Sequence, residues 1–66
     1  MGEESRAVLV MARVVRAQIE LEAMKAANAE REMKGESQAF GEEAFLAIID
    51  KNAIGENDVI TTLRGY

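Results

Sequence analysis

The stretch EESRAVLVMARVVRAQIELEAMKAANAEREMK, residues 3–34, decides the fold of this 66-residue chain. It contains neither Pro nor Gly, and its apolar residues recur at helical spacing. Gly35 follows it, where a left-handed residue commonly ends a helix. At the usual rise per residue, the predicted helix is about 48 Å long. A compact chain of this length has a radius of gyration near ~11 Å, so we expect the helix to project beyond any globule and to need a partner.

Two apolar stripes run along this predicted helix. The first fits the a and d positions of a heptad repeat for three heptads, which predicts the seam of a coiled-coil or helical-bundle homodimer. Its members are Ala7, Val10, Val14, Ala17, Leu21 and Met24. The second stripe consists of Val8, Met11, Ala12, Val15, Ile19, Ala23 and Ala26. Since a surface helix normally has one apolar stripe, we expect the rest of the chain to cover the second stripe and another copy to cover the first.

The next a position holds Asn28, which has two interpretations. A buried polar residue at an a position can fix the register and the number of strands of a coiled coil. Alternatively, the helix is exposed to solvent beyond Met24, as Arg31 at the following d position suggests.

Two shorter helices are predicted after Gly35. One spans about residues 38–52, begins near Ser37 or Gly41, and contains AFLAII at positions 44–49 as the centre of the core. The other spans about residues 57–64 with Asn57 as its N-cap, although its β-branched residues leave a strand as the alternative. The sequence therefore predicts an all-α fold in one small domain, residues 1–66, with two short helices folded back on a long one.

Composition excludes several classes of chemistry. The chain has no Cys and no His, so thiolate and imidazole metal sites, disulfides and His-based acid–base catalysis are ruled out. No apolar run is long enough to cross a bilayer. We expect a non-catalytic, cytoplasmic protein that needs no cofactor and no membrane. Oligomerisation remains as the means by which so short a chain enlarges its core.

The charge is unevenly distributed along the chain. Residues 1–34 hold six basic and six acidic side chains, so the net charge of −4 lies in residues 35–66. Such a segment repels nucleic acid and attracts a basic protein surface. We predict a small acidic inhibitor or adaptor, active as a homodimer. The candidate partner-binding residues are Glu36, Phe40, Glu42, Glu43, Asp50, Glu56 and Asp58, with Phe40 as the apolar anchor.

Three other functions fit parts of the sequence. A structural subunit whose oligomer is itself the function is the first alternative. A degenerate calcium loop at residues 50–61 is the second: Asp50, Asn52, Gly55 and Asp58 occupy loop positions one, three, six and nine, but position twelve is Thr61 instead of Glu. A Gly-centred turn between helices explains this segment better. Direct DNA binding would depend on Arg6, Arg13 and Arg16, which fit a solvated face or partners for Glu20 and Glu22 of a second copy better.

Overall fold

In the computed structural model, which describes residues 2–65, all regular structure within that range is helical. Helix α1 spans Glu3–Met33, α2 spans Glu42–Lys51 and α3 spans Glu56–Arg64. The predicted all-α class is confirmed, and residues 57–64 form a helix instead of a strand. The second helix is shorter at its start than predicted, because residues 38–41 belong to the connection.

Each helix begins in the same way, with a Gly-Glu pair. The N-caps are Gly2, Gly41 and Gly55, all with extended backbone and none with a side-chain cap hydrogen bond. Acidic residues occupy the first turn of each helix, where the positive end of the helix dipole stabilises them. The expected caps Ser37 and Asn57 are therefore wrong: Ser37 lies in the α1–α2 connection and Asn57 lies inside α3.

Left-handed residues mark the ends of the helices. Gly35, with φ of 74°, follows α1, and Gly65, with φ of 90°, caps α3, in the role expected of Gly at these positions. Ala53, in the turn between α2 and α3, has φ of 54° and is the non-Gly residue with positive φ among residues 2–65. This conformation strains the backbone at Ala53, because its Cβ approaches the following carbonyl oxygen.

The two short helices return along α1 in the opposite direction. Phe40 lies beside Asn28 near the end of α1, and Thr62 lies beside Arg13 nearer its start. The result is elongated, with extents of 50 × 17 × 10 Å and a radius of gyration of 15.2 Å. The short helices lie end to end along α1, so the chain does not form a compact globule. They leave one side of α1 exposed, and residues 29–33, beyond the contact of Asn28 with Phe40, are exposed as well.

The core lies between the first stripe of α1 and the face of α2 that packs against it. Its buried apolar residues are Ala17 and Met24 from α1 and Ile48 from α2. Partly buried residues packed around these three are Leu21, Phe40, Ala44, Phe45 and Ile54. The expectation that the short helices would cover the second stripe is therefore wrong. The short helices cover the first stripe of α1 and leave the second stripe exposed.

Candidate interaction site

Asn28 holds the α1–α2 connection against α1. Its Nδ2 donates a hydrogen bond to the Phe40 carbonyl oxygen at 2.9 Å, and its Oδ1 accepts one from the Phe40 amide at 2.9 Å. The side chain thus satisfies both backbone groups of a non-helical residue, as a neighbouring strand would. Asn28 is half-buried and fixes the connection of its own chain, a role that the heptad pattern did not predict.

A second polar cluster fixes the turn between α2 and α3. Arg16 Nε donates to Asn52 Oδ1 at 2.6 Å, and Asn52 Nδ2 donates to the Ile48 carbonyl oxygen at 2.9 Å. Asn52 is only 2% exposed. Arg13 Nη1 donates to Thr62 Oγ1 at 2.7 Å and lies 3.4 Å from the carbonyl oxygen of the strained turn residue. These two arginines therefore bind the returning part of their own chain.

These polar contacts explain why the short helices pack against the first stripe of α1. The connections at residues 34–41 and 52–55 carry backbone groups that no helix satisfies, and buried groups of this kind need hydrogen-bond partners. Asn28 and Arg13 supply such partners on one side of α1, and Arg16 on the same side bonds the side chain of Asn52. The second stripe consists of apolar side chains, which cannot form hydrogen bonds with the backbone of the connections.

The calcium-loop alternative is not supported by the geometry of the turn. Asn52, at the third loop position, accepts a hydrogen bond from the Arg16 guanidinium, so a positive charge already contacts that oxygen. Within residues 2–65, no group of three or more acidic side chains is arranged to hold a metal ion.

The proposed seam residues are largely in contact with the protein's own short helices. Ala17 and Met24 are buried, Leu21 packs against the core, and Val10 is half-buried. Val14 is partly exposed, and Ala7 is exposed as well. A second copy cannot reach the buried members of this seam while α2 is docked.

The outer face of α2 carries a compact group of acidic side chains around one apolar residue. Leu46 is 56% exposed. Glu42 and Glu43 precede it by four and three positions, and Asp50 follows it by four, so all three carboxylates lie beside Leu46 on the helix surface. No ion pair within residues 2–65 engages these three carboxylates. We call these four residues the acidic face.

The other predicted partner-binding residues lie elsewhere. Glu36 follows α1 and lies 4.0 Å from Arg31 Nη1, while Glu56 and Asp58 are in the first turn of α3. Phe40 packs against the core, so it is not the exposed anchor. Sequence reasoning missed Leu46 because AFLAII is apolar almost throughout, and only the acidic residues on either side of Leu46 indicated which residue faces outward.

Two open grooves flank α2. One has a volume of about 230 Å³ and an almost wholly apolar lining that includes Val14, Leu21, Phe45 and Ile49. The other, of about 360 Å³, has the Lys51–Glu20 ion pair at its edge, with Lys51 Nζ 2.6 Å from Glu20 Oε2. This ion pair fastens the end of α2 to α1.

The second stripe of α1 is exposed on the side away from the core. Val8, Met11, Val15 and Ile19 are 63%, 67%, 53% and 67% exposed. They recur at helical spacing on the face opposite Ala17 and Met24. A continuous apolar surface of this kind on a small protein indicates an interaction site.

Comparisons of the chain with protein-family models, with curated proteins and with solved structures found no match. Among the described helices, none has the length and apolar character needed to cross a membrane.

Proposed function

We propose that this protein is a non-catalytic interaction module, an adaptor or inhibitor, that docks on a basic protein surface through the acidic face of α2. The observation that carries the proposal is the exposure of Leu46 at the centre of Glu42, Glu43 and Asp50. Apolar anchors surrounded by charged residues are the usual arrangement of a binding site on a protein surface.

The charges and the apolar residue make different contributions to binding. Unpaired carboxylates attract a basic surface and accelerate association, but exposed charge pairs are each worth only about 0–1 kcal/mol. Burying the exposed part of Leu46 in a partner pocket adds on the order of 1–2 kcal/mol and slows dissociation. Affinity for the partner should therefore fall as salt rises without disappearing.

The test is a double charge reversal with a matched control in the same chain. Glu42 and Glu43 follow Gly41 in the first turn of α2, just as Glu3 and Glu4 follow Gly2 in the first turn of α1. Both reversals to Lys remove the same favourable interaction with a helix dipole. We expect Glu42→Lys/Glu43→Lys to slow association at least tenfold and Glu3→Lys/Glu4→Lys to leave it within twofold.

The partner is first captured from a host lysate on the intact protein, and association and dissociation are then measured with the purified partner by surface plasmon resonance. Leu46→Ala should speed dissociation and leave the association rate unchanged. Equal effects of the two charge reversals, or affinity that is independent of salt, would contradict docking through the acidic face. Capture of nucleic acid alone would contradict the function itself.

A structural subunit is the second candidate function, favoured by the exposed apolar stripe of α1. The two candidate functions predict different changes in the size of the oligomer as the protein concentration rises. Growth without limit favours assembly, whereas a closed dimer favours the adaptor.

A further inference from the structure

The exposed side of α1 contains a second heptad repeat, distinct from the repeat that fits the first stripe. Positions 8, 12, 15, 19, 22, 26, 29 and 33 alternate by four and three residues, as in a coiled-coil seam. Seven of these eight positions are apolar, and the exception is Glu22. All eight are exposed. We call these eight positions the outer seam.

The elongated chain exposes more surface than a compact protein of the same mass, which leaves area available for an interface. A compact 7.2 kDa protein exposes about 4,100 Å², whereas this chain exposes 5110 Å². The excess of about 1,000 Å² is close to the roughly 800 Å² that each partner contributes to a standard stable interface. The part of the outer seam from Val8 to Ala26 spans 19 positions of α1, or about 28 Å, so two copies can meet over most of the helix.

We infer that a second copy of this chain covers the outer seam, with the two α1 helices antiparallel and paired about the level of residue 17. In that register Val15 faces the partner's Ile19, and Val8 faces the partner's Ala26. Val15 and Ile19 then meet at the centre of the interface, and Ala29 and Met33 lie beyond the paired part of the seam. This inference does not depend on the partner proposed for the acidic face.

Glu22 determines the orientation. In a parallel, in-register pair each residue faces its own copy, so two Glu22 carboxylates would meet inside the seam, which is unfavourable. In the antiparallel pair Glu22 faces the partner's Ala12, and the two Glu22 positions are separated by ten residues, or about 15 Å along the axis. The intrachain ion pair from Lys25 Nζ, 3.3 Å away, further compensates Glu22.

Since the outer seam lies opposite the core, the dimer presents its two acidic faces on its two outer sides.

The first test measures mass against concentration by sedimentation equilibrium from 1 to 200 µM. The intact protein should be a dimer of the 7.2 kDa chain at the upper end. Ile19→Lys places a charge in the centre of the seam and should weaken dimerisation at least about 100-fold, with the helical circular dichroism of the folded chain retained. Leu46→Lys is the matched control, because Leu46 is similarly exposed but lies on α2, and it should leave the mass unchanged.

The second test determines the orientation by disulfide formation, which is simple because the chain has no Cys. A mixture of Val8→Cys and Ala26→Cys chains should form a cross-linked heterodimer in mild oxidant, whereas Ala26→Cys alone should not cross-link. Cross-linking of Ala26→Cys alone would establish a parallel pair and overturn the orientation.

A monomer mass at every concentration, or a dimer that Ile19→Lys leaves intact, would overturn the interface itself. A dimer dissolved by Val14→Asp but not by Ile19→Lys would place the contact in the apolar groove beside α2, and would also overturn it. None of these results affects the test of the acidic face, which measures binding of another protein.

Discussion

Asn52→Ala should remove a large share of the stability of the fold. The side chain is 2% exposed, accepts a hydrogen bond from Arg16 Nε at 2.6 Å, and donates one to the Ile48 carbonyl oxygen at 2.9 Å. Alanine loses both bonds and leaves a small void at the turn that joins α2 to α3. No apolar packing compensates, because only three apolar residues are buried within residues 2–65.

The magnitude follows from the two bonds. A hydrogen bond with a charged partner contributes about 1.5–3 kcal/mol, and a neutral one about 0.5–1.5 kcal/mol. Because Arg16 is exposed and can regain water, the lower part of the combined range applies, about 2–3 kcal/mol. A chain of 66 residues has a free energy of unfolding of roughly 3–10 kcal/mol, so the loss is large.

The assay is urea unfolding followed by far-ultraviolet circular dichroism, with all proteins at one concentration because dimerisation adds to apparent stability. The midpoint for Asn52→Ala should fall by roughly 2 M urea. Asn57→Ala is the matched control: Asn57 is exposed in the first part of α3, and its truncation should change the free energy of unfolding by less than about 0.5 kcal/mol.

A double-mutant cycle with Arg16→Ala isolates the contact between Arg16 and Asn52, with an expected coupling of about 1–2 kcal/mol. If Asn52→Ala and Asn57→Ala cost the same, or if the coupling is zero, the polar cluster does not hold the turn. Hydrogen bonding by α1 side chains would then not explain the position of the short helices.

Two further substitutions test the turn and the core. Ala53→Gly should raise the free energy of unfolding by about 0.5–1 kcal/mol, because Gly relieves the left-handed strain at φ of 54°. Ala47→Gly, in the exposed part of α2, should instead lower the free energy of unfolding by about 1 kcal/mol. Changes of the same sign in the urea assay would contradict the strain at Ala53. Phe40→Ala should lower the free energy of unfolding by about 2 kcal/mol, because Phe40 packs against the core. The affinity of the folded protein for its partner should stay unchanged. Unchanged thermal stability with faster dissociation from the partner would instead make Phe40 the binding anchor.

The ends of the helices were predictable to different degrees. α1 begins at Glu3 as predicted and ends at Met33, one residue before the predicted end, because a long stretch without Gly or Pro is a strong helical signal. The start of α2 was less accurate, since both Ser37 and Gly41 were candidate caps and neither flanking sequence excluded the other. The acidic face was identified in part: Glu42, Glu43 and Asp50 were predicted, whereas the anchor was not.

The sequence by itself determined that the chain is helical, where Gly and polar residues interrupt the helices, and that α1 has two apolar faces. These properties follow from local periodicity and backbone preference, which neighbouring residues are sufficient to specify. Tertiary structure alone decided which apolar face of α1 is covered by the short helices. Both faces carry apolar side chains, so hydrophobicity does not distinguish them. The choice depends on polar contacts with connections distant in sequence: Asn28 and Arg13 bond their backbone groups, and Arg16 bonds the side chain of Asn52. Such hydrogen bonds exist only once the chain has returned along α1.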